Sequence, residues 1–165
     1  MHQIIIRSWL KSDFKTVRKI LSETWLDTYS FIPEEDILFH LDKFYSEEKL
    51  NILFIDPYTQ CFITESDGLS SGWMKLYENK SQKRFYVSSL YVLPQFQGSG
   101  IGKIFMNKAE EIAKQKGYYR IWLGVMKDNI KALEWYKKIG FNFVEEEPFQ
   151  MGKTTVMHLI GYKLI

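Results

Sequence analysis

The residue types best suited to chemistry lie in one stretch, Leu90-Tyr91-Val92-Leu93-Pro94-Gln95-Phe96-Gln97-Gly98-Ser99-Gly100-Ile101-Gly102-Lys103. A strand pattern ends at Pro94, and a glycine-rich turn leads straight into an amphipathic helix. The first turn of a helix has amide N–H groups without intrahelical partners, and the helix dipole adds partial positive charge there. Glycines remove the Cβ atoms that would hold an anion away from those amides. The spacing therefore predicts a phosphate or pyrophosphate cradle of main-chain donors at Gln97, Gly98, Ser99, Gly100, Ile101 and Gly102. It is not a Walker A loop, because Gln97 and Ile104 stand where that loop needs its first glycine and its magnesium-binding hydroxyl. It is not a dinucleotide fingerprint either, since the spacing is GxGxG and the segment falls past mid-chain. A glycine turn that only lets strand and helix pack is the plainer alternative.

A second set of residues lies downstream. Asn129 stands at a predicted helix start, where asparagine is a good N-cap. Tyr136 is seven residues further on, two turns along the same face, and by spacing alone it reads as packing. Leu90, Tyr91 and Val92 read as an ordinary strand with Leu90 and Val92 in the core. Lys103 and Lys138 suit either a phosphate or open solvent.

Two motifs add to this reading. Gln97-x-x-Gly100-x-Gly102 resembles the Q/R-x-x-G-x-G/A loop of the GNAT N-acetyltransferase superfamily, which binds the coenzyme A pyrophosphate. Asn129-Ile130-Lys131-Ala132-Leu133-Glu134-Trp135-Tyr136-Lys137-Lys138-Ile139-Gly140-Phe141 resembles that family's N-x-x-A-x-x-x-Y-x-x-x-G-F pattern. The two fall in the family's order, and the resemblance spans essentially the whole chain. More narrowly, Gly72-Trp73-Met74-Lys75-Leu76, Ile121-Trp122-Leu123-Gly124-Val125 and Phe149-Gln150-Met151-Gly152 are similar to the PaiA-type spermidine/spermine acetyltransferase branch.

The resemblance implies acetyl-CoA as cosubstrate, lying between two splayed strands, Arg84–Leu93 and Tyr119–Val125. Leu90, Tyr91 and Val92 would bond its pantetheine arm through the main chain, with an N–H near Tyr91 polarising the thioester carbonyl. The Asn129 amide would meet the pantetheine or the phosphate end, and Lys103 and Lys138 the phosphates. Tyr136 takes the family's acid position: a phenol of pKa about 10 can give its proton to a departing thiolate of pKa about 8.5. The base is not assigned. Relatives often put Glu on the strand before the loop, where this chain has Val87-Ser88-Ser89. A water relay through Ser89 is one route, and a carboxylate from Asp27, Glu34, Glu35 or Asp36 is another. The implied reaction is direct acetyl transfer to a primary amine through a tetrahedral intermediate, with a small polyamine as acceptor. Acetylation of a protein N-terminus or lysine, and acyl-CoA binding without catalysis, are the alternatives.

The elements that must position these residues can be traced along the chain. Strands are predicted at Gln3–Ser8, Thr59–Glu65, Gly72–Glu78, Arg84–Leu93, Tyr119–Val125, Phe141–Glu146 and Thr154–Lys163. Helices are predicted from a Ser12-Asp13 cap to about Glu23, from Pro33 through Tyr45, over Glu47–Phe54, from about Gly100 to Lys116, and over Asn129–Ile139. The order βα(α)βββαβαββ predicts an α+β three-layer fold with a mixed, mostly antiparallel central sheet, a βαβ crossover and helices on both faces.

The chain has 165 residues and no linker or repeat, which predicts a single domain over 1–165. Net charge is +2 from 22 basic and 20 acidic side chains, so a nucleic-acid partner is not implied. One cysteine, Cys61, excludes an internal disulfide and reads as a buried thiol. His2, His40 and His158 are scattered, so no metal site is expected, and His158 reads as a satisfied or solvent-facing histidine. Glu145-Glu146-Glu147 reads as a solvated strand end, or as a lure for a polyamine at the cleft mouth. No apolar run approaches the roughly 20 residues of a membrane span, and no leader is read at the N-terminus. The expectation is a cytoplasmic protein, with a homodimer allowed.

Overall fold

The computed structural model describes residues 3–165, so the expectations for the leader and for His2 lie outside the described residues. Its framework is one seven-stranded sheet in the order β1-β2-β3-β4-β5-β7-β6. The strands are β1 (Ile4–Ser8), β2 (Thr59–Ser66), β3 (Leu69–Asn79), β4 (Arg84–Val92), β5 (Arg120–Met126), β6 (Asn142–Met151) and β7 (Thr154–Leu164). Every neighbouring pair is antiparallel except β4 and β5, which run parallel. A parallel pair needs a crossover, and α4 (Ile101–Gln115) supplies it. The predicted three-layer α+β architecture is the one observed.

On one face lie α1 (Phe14–Thr28), α2 (Glu34–Phe44) and α3 (Glu47–Ile55). They enclose a core built on Val17, Ile20, Leu21, Trp25, Ile37, Ile63 and Trp73. On the other face α4 and α5 (Ile130–Lys138) cover Met74, Leu76, Phe85, Ile121 and Leu123. Pro33 precedes α2 and three acids fill its first turn, where they complement the dipole. Ser46 caps α3, its hydroxyl accepting from the Lys49 amide at 3.3 Å.

Three expectations change. Asp13 does not cap α1. It lies buried in a 3-10 turn, accepts from the Leu10 amide at 2.6 Å and pairs with Arg7 at 2.8 Å, and that guanidinium holds its carboxyl below the usual range. The first helix runs past Glu23 to Thr28, because Thr24 and Trp25 continue its buried face. The strand predicted to stop at Glu146 continues through Pro148 to Met151. β6 is an edge strand, so the missing proline N–H costs no ladder bond to a further neighbour. Of the three acids inside that strand, Glu145 pairs with Arg84 at 2.6 Å and Glu146 with Lys127 at 3.2 Å.

Candidate active site

β4 and β5 pair at only two positions, Phe85 with Ile121 and Tyr86 with Trp122. β4 remains bonded to β3 as far as Val92, and β5 to β7 as far as Met126. From Val87 and Leu123 onward the two strands therefore face each other across an open wedge. A bulge helps to part them. Leu76 pairs with Val87 and Lys75 with Ser89, which leaves Ser88 as the extra residue, its hydroxyl donating to the Lys75 carbonyl at 3.2 Å. Extra residues of this kind bend a strand and re-aim the side chains beyond them. The wedge opens into a cleft of about 930 Å³.

The glycine-rich turn forms one end of this cleft. Gly98 and Gly100 have φ of +79° and +89°, a left-handed backbone that side chains rarely adopt. A Cβ built on either would point into open space. α4 begins at Ile101, so its first-turn amides emerge beside that space. Gln97 braces the turn: its Nε2 donates to the Val92 carbonyl at 3.1 Å, and its Oε1 accepts from Lys131 Nζ at 3.1 Å. The Val92 carbonyl is thereby committed to the protein.

Leu90, Tyr91, Val92, Gln97, Gly98, Gly100, Ile101, Gly102 and Lys103 all line the cleft, as do Asn129 and Tyr136. Ser99 and Lys138 do not. The Ser99 hydroxyl donates to the Phe96 carbonyl at 2.5 Å, and Lys138 is exposed in the last turn of α5. Asn129 caps α5, its Oδ1 accepting from the Ala132 amide at 3.3 Å, and this leaves its NH₂ available. Gly102 has a packing role as well, because a Cβ there would lie 3.1 Å from the indole of Trp135.

Tyr136 is held edge-on to Phe141 at 5.6 Å and tilted against Trp135 at 5.0 Å. Burial first, and then the neighbouring Tyr91, push its phenol well above the usual value, so it keeps its proton near neutral pH. Tyr91 is pushed up to about 12 by burial and by the field of Tyr45. Burial does the same more strongly for Tyr29. The reacting end of the cleft is thus walled by protonated phenols.

Sequence reasoning missed an aromatic chamber beyond that end. Trp25 from α1, Tyr29 just after it, His40 from α2, Tyr45 after that helix and Phe149 from β6 line the same cleft. Trp25 meets Tyr91, Tyr45 and His40 edge-on at 5.8, 5.5 and 5.7 Å. His158 of β7 stacks on Phe149 with ring centroids 4.2 Å apart and planes 8° from parallel. Its half-buried ring lines the cleft without a hydrogen-bond partner among the described residues. Burial pulls both histidines down to about 4, and Lys43 and Lys75 add to the effect on His40. These residues are far apart in sequence and, Phe149 excepted, belong to no motif, so only the alternation in β7 hinted that His158 shares a face with Ile160.

No carboxylate lines the cleft among the described residues. Asp27, Glu34 and Glu35 are exposed elsewhere. Asp36 is buried, accepting from the Lys153 amide at 2.9 Å and the Thr154 hydroxyl at 2.6 Å. The charged side chains that do line the cleft are Lys103 and Lys131, both near the glycine turn. Among the described residues there is no cluster of three or more metal-ligating side chains, and no helix is long and apolar enough to cross a membrane.

A bare turn at a helix start, free strand edges above it and a buried phenol define an acyl-carrier cleft of the acetyltransferase type. Residues 14–141 match the Acetyltransferase (GNAT) family, and the chain belongs to that family. Its fold is similar to that of the PaiA N-acetyltransferase from Thermoplasma acidophilum, solved in complex with coenzyme A. That likeness has a TM-score of 0.84 at 26% identity and covers 99% of each chain. The resemblance to the PaiA-type branch is thus carried by the fold as well as by short sequence strings. An uncharacterised N-acetyltransferase of Mycobacterium tuberculosis is 28% identical over 121 residues, 73% of this chain and 77% of that protein. Mouse thialysine N-epsilon-acetyltransferase is 30% identical over 96 residues, 52% of this chain and 56% of that protein.

Proposed function

We propose that this chain acts as a single domain that transfers acetyl from acetyl-CoA to a small primary amine, with a polyamine such as spermidine or spermine as the favoured acceptor. The observation that carries the reading is the wedge between β4 and β5, which ends on bare helix-terminal amides. The cleft residues fit such a donor. Amides from Gln97 to Gly102, with Lys103 and Lys131 beside them, suit its diphosphate. Unpaired main-chain groups of Leu90 and Tyr91 suit the peptide-like arm, as an added strand would. When bound, acetyl-CoA supplies an activated acyl group and a thiol leaving group.

The chain's own residues do the rest. A main-chain N–H near Tyr91 donates toward the thioester carbonyl and steadies the oxyanion that forms there. Tyr136 is a phenol that retains its proton until a thiolate needs it. The aromatic chamber receives the amine: Trp25, Tyr45 and Phe149 wall it with rings that suit an ammonium group and its methylenes. The mouse relative, whose name gives thialysine as its substrate, is in keeping with a primary amine on a small molecule.

A second reading has a specific observation in its favour. Without a lining carboxylate, and with Lys43 and Lys75 bearing on His40, the chamber also suits an amine with one positive charge and an apolar body. One assay separates the two. Coenzyme A thiol release is followed with spermidine, spermine, phenethylamine and a lysine-containing peptide. Turnover of either small-amine type supports acetyl transfer, and their kcat/KM ratio chooses between the readings. Turnover of the peptide alone overturns both. If calorimetry with millimolar coenzyme A shows no heat of binding, the donor assignment fails.

A further inference from the structure

We propose that His158 is the group that accepts the acceptor amine's proton, reaching the wedge over Gly124. This rests on the acetyl-transfer reading and fills the position that no carboxylate occupies. Gly124 lies in β5 where the strand borders the wedge, and it is exposed to the cleft. A Cβ on it would come within 3.4 Å of His158 Nδ1 and 2.9 Å of Ile160 Cδ1. Any other residue at 124 would thus stand between the imidazole and the wedge. Phe149 fixes the plane of the imidazole by stacking. Neither ring nitrogen has a hydrogen-bond partner among the described residues.

Other groups fit less well. His40 also lines the cleft, but its ring is wedged among Trp25, Phe44 and Phe149 at 5.7, 4.6 and 5.4 Å, and its Nδ1 is buried without a partner among the described residues. Tyr29, Tyr91 and Tyr136 hold their protons too tightly to serve as bases. The charged and titratable groups around His158 are Glu147, which pairs with it across β6, and His40 beyond Phe149. Burial keeps the imidazole neutral at pH 7, so its lone pair is free.

The proton balance closes without another reagent. The amine enters as its free base, having lost one proton to water. Its nitrogen forms the C–N bond, and the carbonyl π pair moves to oxygen. As the bond forms, the nitrogen becomes a much stronger acid than the free ammonium, and its proton passes to His158 before the amide is complete. The oxygen pair returns, the C–S bond breaks, and the sulfur takes the Tyr136 proton. Water then removes the His158 proton and restores that of Tyr136. The sum is amine plus thioester giving amide plus thiol. Because His158 acts after attack has begun, even a weak base is competent there.

The test uses His158→Phe, which keeps a ring to stack on Phe149 but has no lone pair, and His158→Ala, which leaves room for added imidazole. Both are expected to lose about 100-fold or more in kcat, with the KM for acetyl-CoA changed less than about 2-fold. Added imidazole is expected to restore at least 10-fold to the alanine variant. A kcat within about 3-fold of wild type for His158→Phe overturns the proposal, as does a loss in His158→Ala that imidazole leaves untouched. A direct probe stands apart from turnover: in ¹⁵N spectra of histidine-labelled protein, coenzyme A with spermidine or phenethylamine is expected to shift the His158 ring resonances. If the wild-type enzyme acetylates the amine but those resonances stay fixed, His158 alone is dismissed. If it acetylates none and coenzyme A does not bind, the acetyl-transfer reading falls and takes this one with it.

Discussion

The indole of Trp135 passes 3.1 Å from the point where a side chain on Gly102 would begin. Gly102 lies in the first turn of α4 and Trp135 in α5, next to Tyr136. The proposed phosphate cradle and the neighbour of the proposed acid are therefore set against each other by one close contact. Real Cβ atoms are seldom packed that tightly, so Gly102→Ala requires the Trp135 indole, beside Tyr136, to give by a few tenths of an ångström. The expected result is a loss of about 1–3 kcal/mol in stability, typical of overpacking, together with a higher KM for acetyl-CoA. Urea denaturation and initial-rate kinetics measure the two effects. Gly102→Ala with wild-type KM would show that α5 yields without disturbing the cradle.

Removal of the phenol tests the acid directly. Tyr136→Phe keeps the edge-on contact with Phe141 and the packing against Trp135. It loses only the proton that a thiolate would take. The turnover number is expected to drop by about 100-fold, within the usual range for a positioned acid, while the Kd for coenzyme A stays within about 2-fold. Steady-state kinetics and calorimetry check this. An unchanged turnover number would take Tyr136 out of the chemistry and return it to the core.

Asp36 sets the far wall of the acceptor chamber. Its carboxylate ties α2 to the turn between β6 and β7 through Lys153 and Thr154. Gly152 makes that approach possible: its φ is +61°, and a Cβ there would lie 2.7 Å from Asp36 Cα. His40 is one turn along α2 from Asp36, and Phe149 and His158 stand on the two strands that the turn joins. Asp36→Ala is expected to raise the KM for the amine at least 5-fold and to leave coenzyme A binding as it is. Gly152→Ala should do the same with a greater loss of stability, since backbone rather than a flexible side chain must move. Equal effects on amine and coenzyme A would mean that the staple holds the whole fold and not the chamber.

The cofactor half of the site was legible because it is made of consecutive residues. Gln97 to Lys103 and Asn129 to Tyr136 act through main-chain amides, a cap and a helical repeat, all of which are local properties. Ser99 and Lys138 sit in the same motifs but their side chains do not line the cleft: the Ser99 hydroxyl turns back to Phe96 and Lys138 faces out. The acceptor half was not legible. Trp25, His40, Phe149 and His158 come from four elements and meet only when α1 and α2 pack on the splayed sheet. Among the strands, Pro148 suggested an end to β6, and only the edge position in the sheet explains why the strand continues.

The pairing of Asp13 with Arg7 gives a stability prediction with a definite pH sense. The carboxylate is buried and accepts two guanidinium hydrogen bonds, at 2.8 and 2.9 Å, besides the Leu10 amide. Arg7 also bonds Glu65 at 2.8 Å, so the cluster ties β1 to β2 and to the start of α1. The folded protein holds Asp13 below its ordinary value of 3.8. A carboxyl depressed by folding contributes stability that is fully present above its unfolded pKa and disappears as pH falls through its folded pKa. Asp13→Asn keeps the shape but not the charge, and is expected to cost roughly 2 kcal/mol at pH 7, the scale of charge-assisted hydrogen bonds. As pH falls below 3.8 and through the lowered folded value, the wild-type carboxyl protonates as well, so the gap between the two proteins should narrow there. Urea midpoints measured at pH 7 and in steps downward from pH 3.8, as far as the wild type stays folded, decide it: a gap that stays constant throughout would mean that Asp13 stabilises the turn by shape alone.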